Sequence, residues 1–226
     1  MFNRDLFEYD PQTHIGKYNG KVVPSVTQLL DILYPYSEDI PQERLEKKAQ
    51  YGTKVHNAIE KINTYFDNPF GFDHNIDVVR EVGIGMSKAL ELNELVDYVS
   101  ILSAYKLQPF DYEELIFLCD EKGELICFGH YDATFLSQED IGCFKEGLLY
   151  LCDFKTTSLL DKQKVKLQEN IYAIAYEQCT KNHITNVFCL WFADTTKLVP
   201  LDKYNEDYVI SMAKLLKEQW EELQGE

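Results

Sequence analysis

The chain has 226 residues, 45% of them hydrophobic and 13% aromatic, which is enough for one packed core without disulfides or metals and too apolar for a disordered chain. With 22 basic against 38 acidic residues the formal net charge is −16, which repels nucleic acid at long range and leaves only a local basic groove as a route to it. No apolar run approaches the roughly 18 residues that span a bilayer, the first residues, MFNRDLFEYD, carry acids where a secretion signal is basic and then apolar, and the six cysteines form no C-x-x-C pair, so a soluble intracellular protein with reduced thiols is expected.

Residues 6–23 are predicted to be irregular or briefly extended, with Tyr18-Asn19-Gly20-Lys21 as a hairpin turn. Pro24 then precedes the capping box Ser25-Val26-Thr27-Gln28, which opens a helix to about Leu33. A polar helix begins near Gln42 and carries Ala49, Val55, Ala58, Ile59 and Ile62 at helical spacing. Residues 68–74 form a turn, and 76–106 read as one or two helices weakened in the middle by Gly83 and Gly85. From Glu114 the segments LIFLCD, ELICFGHYDATFLS and GLLYLCDFK read as three consecutive strands of a meander. A helix from about Lys164 to Cys179, a strand from Val187 and a helix over 206–224 complete the chain. The expectation is one α/β (α+β) domain over residues 1–226, with a helical part at about 24–106, a sheet core at about 112–193 and a C-terminal helix at about 206–224.

Four motifs stand in order: Gly52-x-x-x-His56, Gly129-x-x-Asp132, Asp153-Phe154-Lys155 and Gln168-x-x-x-Tyr172. An acid-x-Lys triplet arises about once or twice by chance in a chain this long. Asp120-Glu121-Lys122 and Glu46-Lys47-Lys48 are two such triplets, and only the one at 153–155 lies in a strand pattern with partners around it.

Asp153 and Lys155 project from one face of their strand, Asp132 ends the strand before it, and adjacent strands are about 4.8 Å apart, so two carboxylates can meet at one end of the sheet. Left alone they repel, and removing either should leave stability level or raise it. One or two divalent cations would resolve the conflict; oxygen ligands suit Mg²⁺, and the imidazole of His56 adds tolerance for Mn²⁺. Lys155 could orient the attacking water and help deprotonate it, a role served by a lowered lysine pKa. Gln168 and Tyr172 share one helix face, where they would hold the strand or the lysine and approach bound DNA.

Plainer readings stand beside these. A lone helical histidine is a ligand only about one time in ten. Lys162, Lys164 and Lys166 are by default a solvated helix face, and otherwise the basic groove the net charge calls for, with Lys47, Lys48 and Lys54 as an opposite wall. Ser25 and Thr27 are first of all helix caps, and secondly a phosphate site in a DNA path.

The ordered set resembles the PD-(D/E)XK nuclease superfamily and, within it, the RecB-like exonuclease branch, which is marked by these four motifs. YNGKVVPSVTQLL followed by QYGTKVH is also similar to small bacteriophage exonucleases and their mitochondrial genome-maintenance relatives. The resemblance implies a restriction-endonuclease-like core of helix, three-stranded meander, helix and strand, with added N-terminal helices and a C-terminal helix. By it, His56, Asp132, Asp153 and the main-chain carbonyl of Phe154 would bind Mg²⁺ or Mn²⁺, and Lys155 would act in catalysis with Asp153 and Asp132. The implied activity is metal-dependent hydrolysis of DNA from its ends, single strands included, in recombination, repair or replication. The implied setting is a phage-encoded enzyme in the host cytoplasm, away from membranes, with an annealing or single-strand-binding protein as a partner.

Gly129-His130-Tyr131-Asp132 lacks the Pro-Asp that names the superfamily. Some RecB-like members hold an iron–sulfur cluster with one upstream and three downstream cysteines; Cys179 and Cys189 are ten apart with no third after them, so no cluster is expected. The rival expectation is a catalytically inactive protein of this fold whose acidic surface binds a basic partner.

Overall fold

The computed structural model describes residues 1–35, 41–64 and 76–225. In chain order its elements are β1 (Phe7–Asp10), β2 (Ile15–Tyr18), β3 (Lys21–Val23), α1 (Val26–Leu33), α2 (Gln42–Asn63), α3 (Ile76–Leu90), α4 (Glu94–Tyr105) and β4 (Leu107–Tyr112). There follow β5 (Leu115–Cys119), β6 (Leu125–His130), β7 (Ala133–Ser137), β8 (Leu149–Lys155), α5 (Lys162–Thr180), β9 (Ile184–Trp191), β10 (Lys197–Leu201) and α6 (Glu206–Gln224). The fold mixes helices with sheets, as the patterning predicts.

Five strands form the central sheet in the order β10-β9-β8-β7-β4, with β8 and β9 parallel and every other neighbour antiparallel. Alternation along β8 divides the interior. Leu151 turns into a core with Val165, Ile171 and Ile174 of α5, Val26 and Leu30 of α1, and Leu216 and Trp220 of α6. Tyr150, Cys152 and Phe154 turn the other way, against Val55 and Ile59 of α2 and Leu95, Tyr98 and Val99 of α4. The sheet is thus covered by helices on both faces, which explains why β8 and β9 read as nearly unbroken apolar runs.

Local signals set several elements. Ser25 Oγ accepts from the Gln28 N–H while Gln28 Oε1 accepts from the Ser25 N–H, completing the predicted capping box. Asn19 and Gly20 both have positive φ, 51° and 77°, as a tight turn between β2 and β3 requires. The segment 76–106 forms two helices, but the break falls at Glu91 (φ 56°) and not at the glycines. Gly83 lies in α3 against α4, where an added Cβ would stand 2.6 Å from Val99 Cγ1. The turn expected at 68–74 lies outside the described residues.

The expected meander is redistributed. ELICFGHYDATFLS does not run straight: β6 ends at His130, the chain bends through Tyr131 and Asp132, and β7 starts at Ala133. Before the bend, β6 pairs with β5 in a separate two-stranded sheet; after it, β7 pairs with β8 and β4. At the bend the Asp132 carbonyl accepts from the N–H of Glu113, outside the strands. The meander of the central sheet is therefore β4-β7-β8. Sequence patterning misses β4 because Pro109 interrupts it and a bulge lies between Pro109 and Tyr112. It also misses β10, which holds Pro200 at the sheet's edge.

Candidate metal centre

The strand β8 ends at Lys155, and the four sequence motifs meet there. His56 stands on α2, and its Nε2 lies 2.9 Å from the main-chain oxygen of Phe154 and its Nδ1 3.3 Å from Asp132 Oδ1. The other oxygen of Asp132 accepts from the Phe154 N–H at 2.5 Å. On the opposite face of β8, Lys155 Nζ donates to Asp153 Oδ1 at 2.6 Å, and Gln168 of α5 donates to the same oxygen at 3.3 Å. Gln168 Oε1 also stands 3.5 Å from Lys155 Nζ, so it holds both members of the pair.

The two remaining motif glycines prove to be spacers. A Cβ on Gly129 would lie 2.7 Å from Tyr172 Cε1 and 3.3 Å from Val26 Cγ2, so this glycine gives Tyr172 its seat. A Cβ on Gly52 would lie 3.2 Å from Thr156 Oγ1, so Gly52 lets α2, and His56 one turn on, draw close to the end of β8.

Charge is crowded here. Burial pushes Asp153 up, Lys155 pulls it back and Asp132 adds to the rise, bringing it to about 6. Burial by itself would lower His56, but the carboxylate of Asp132 drives it up to about 9. Burial also acts upward on Asp132, yet His56, Lys155 and the Phe154 N–H together hold it below its usual range. The sequence-based expectation of a lowered Lys155 is corrected: burial acts that way, but Asp153 and Asp132 raise it, so the residue is an ammonium ion.

Glu113, which motif reading overlooks, joins the group. Ligand atoms of His56, Glu113 and Asp132 all lie within 4.8 Å of one another. Burial, then the charge of Asp132, brings the Glu113 carboxyl to about 7. Its backbone is left-handed (φ 52°), with its N–H tied to the Asp132 carbonyl at the chain's bend. The available clue was the acid pair Glu113-Glu114 between two extended runs, which carries no meaning until β4 is recognised.

The residues fit a hard divalent cation. Imidazole, carboxylate and main-chain oxygen donors converge at His56, Glu113, Asp132 and the Phe154 carbonyl, while Asp153 and the buried Glu169 stand outside that group and interact with Asp132 and Lys155 through their charge. Both oxygens of Glu169 lack a hydrogen-bond partner.

Two clefts, each of about 520 Å³, flank the centre. One is lined by Lys48, Gly52, His56, Phe154, Lys155 and Thr156. The other is lined by Tyr9, Ser25, Thr27, Glu113, His130 and Tyr172. Ser25 and Thr27 thus face the site's surroundings; Ser25 alone caps α1, and the Thr27 hydroxyl, within the helix, lies 3.0 Å from that of Ser25.

The lysines of α5 go elsewhere. Lys164 Nζ binds Asp31 Oδ1 at 2.7 Å and the Tyr34 carbonyl at 3.3 Å, tying α5 to α1 and its end. Lys166 pairs with Asp202 at 3.3 Å and lies over the Tyr204 ring. Lys162 is exposed at the start of α5, and none of the three lines either cleft. Lys164 and Lys166 are thus engaged in ion pairs with Asp31 and Asp202, and Lys162 stays exposed. Arg44, Lys47 and Lys48 of α2 meet Thr156 in an adjoining cleft, with Glu43 paired to Lys47 at 2.7 Å. Lys54 of the expected opposite wall donates to the Leu90 carbonyl.

No family model matches the chain, and no curated protein matches it. A solved structure described as "Crystal structure of SSO0001" is similar over 86% of this chain and 84% of its own, at 12% identity and a TM-score of 0.36. A likeness that loose carries no argument about function. Among the described residues no helix is long and apolar enough to cross a membrane.

Proposed function

We propose that the protein is a Mg²⁺- or Mn²⁺-dependent deoxyribonuclease of the RecB-like PD-(D/E)XK type, acting from DNA ends. The observation that carries this reading is the convergence of His56, Asp132, the Phe154 carbonyl, Asp153 and Lys155, from three separate elements, at one end of β8. A structural ion-pair network has no need to bring a main-chain oxygen and an imidazole together with the carboxyls of Asp132 and Glu113.

In this reading His56, Asp132, Asp153 and the Phe154 carbonyl hold the cation, with Glu113 as an added acid beside His56. A bound divalent cation would supply an activated water at neutral pH and positive charge for the phosphate. Lys155 remains protonated and holds negative charge near Asp153. Gln168 keeps the Lys155 ammonium and the Asp153 carboxylate aligned, and Tyr172, seated on Gly129, packs the helix that carries Gln168. DNA would approach along the cleft of Lys48, Gly52 and Thr156, where Lys48 and the neighbouring Arg44 supply local positive charge against the overall charge of −16, while Lys47 is paired with Glu43.

The test is digestion of end-labelled single- and double-stranded DNA with Mg²⁺, Mn²⁺ or EDTA, with Asp153→Asn as the control. Metal-dependent release of end nucleotides by the wild type alone is expected. No cleavage under any condition, with the protein folded, would overturn the reading in favour of an inactive, partner-binding protein.

A further inference from the structure

Glu169 sits within α5, one residue past Gln168, and is 1% exposed. Neither of its carboxyl oxygens has a hydrogen-bond partner. Burial first, then the charges of Asp153 and Asp132, push its pKa well above the ordinary carboxylate range, so without a ligand the group is held neutral, and ionising it would cost several kcal/mol unless a cation compensates. The nearby cation does not serve: Lys155 is committed to Asp153 at 2.6 Å and to Gln168. Val165 and Ala173, four residues before and after Glu169 on the same face of α5 and both buried, show that an apolar side chain would satisfy packing. A carboxyl here therefore asks for a ligand, and its electrostatic neighbours are Asp153, Asp132 and Lys155, the residues at the end of β8.

We infer that Glu169 is a further acid of the cation centre, its charge met through water of the shell of a divalent ion held at Asp132 and Asp153. The inference rests on the metal-site reading above. It gives α5 a second link to the centre: Gln168 aligns the Lys155–Asp153 pair, and Glu169 supplies charge behind it. It also accounts for a buried carboxyl that no described donor satisfies.

The experiment compares the full-length wild type with Glu169→Gln, which keeps shape and removes charge, by calorimetric titration with Mn²⁺ and by thermal melting in EDTA and in Mn²⁺. Loss of a supporting acid weakens metal binding by roughly 10- to 100-fold. The expected result is Mn²⁺ affinity at least about 10-fold lower in the variant, an equal or higher melting temperature in EDTA, and a smaller rise on adding Mn²⁺. Equal Mn²⁺ affinities would overturn this inference alone and make Glu169 a neutral acid of the core. A wild type that takes up no Mn²⁺ would overturn the metal-site reading and this inference with it. Should Glu169→Gln not fold, Glu169→Asp carries the test: its carboxyl, one methylene short, should bind Mn²⁺ more weakly, and wild-type affinity would overturn the inference.

Discussion

His56 and Phe154 are joined at the end of β8, the imidazole Nε2 lying 2.9 Å from the main-chain oxygen while Nδ1 faces Asp132. With an acceptor at each ring nitrogen, the imidazolium donates in both directions. Its two protons occupy the carbonyl and the carboxylate that would face a cation, so proton and cation compete for one set of atoms.

That competition fixes a pH dependence. The folded His56 titrates at about 9, above its ordinary 6.5, so its contribution to stability is full below about 6.5 and is lost as pH rises through about 9. In EDTA, denaturant midpoints should fall between pH 6.5 and 9.5, and the fall should shrink in His56→Asn. Mn²⁺ affinity should rise over the same interval with release of a proton, measured by calorimetry in buffers of different ionisation enthalpy.

The two aspartates should part company in stability while both are needed for cleavage. Asp132 accepts the Phe154 N–H and pairs with His56, so Asp132→Ala leaves a donor and an imidazolium without partners and should cost about 1–3 kcal/mol. Asp153 is a carboxyl that burial drives up to about 6, so Asp153→Asn should leave metal-free stability level or raise it. Urea denaturation in EDTA distinguishes them; equal losses would mean that Asp132 has no special structural load. The simple repulsion argument from sequence, which treats them alike, fails for Asp132 because its partners come from α2 and from the backbone of β8.

Replacing Lys155 with Ala should lower turnover by about 100-fold or more, on the scale of lost electrostatic catalysis, while Mn²⁺ still binds. Because Asp153 and Asp132 hold Lys155 protonated, its role is to carry positive charge and not to accept a proton. A variant that no longer binds Mn²⁺ would make Lys155 a structural residue.

The lysines should sort by position. Lys164→Ala, which breaks the tie to Asp31 and Tyr34, should lower stability by about 1 kcal/mol and leave DNA affinity unchanged. Lys48→Ala should weaken DNA binding and reduce the slope of log K against log salt by about one. Anisotropy titrations over a range of salt decide this; the reverse pattern would return the DNA path to α5.

Determined by the sequence itself were those features whose causes are local. The Ser25 capping box, the Asn19-Gly20 turn and the helix over 206–224 each depend on residues a few positions apart, and alternation in LLYLCDFK was enough to put Asp153 and Lys155 on one face. The order of the four motifs named His56, Asp132, Asp153, Lys155 and Gln168 as companions before any distance was known. Only the tertiary structure decided that β6 and β7 part at Asp132, that β4 and not β5 lies beside β7, that Glu113 stands with His56 and Asp132, that Glu169 is buried without a hydrogen-bond partner, and that Lys164 and Lys166 pair with Asp31 and Asp202. Strand partners, ion pairs and burial are set by groups distant along the chain, so a pattern read within one segment carries no record of them.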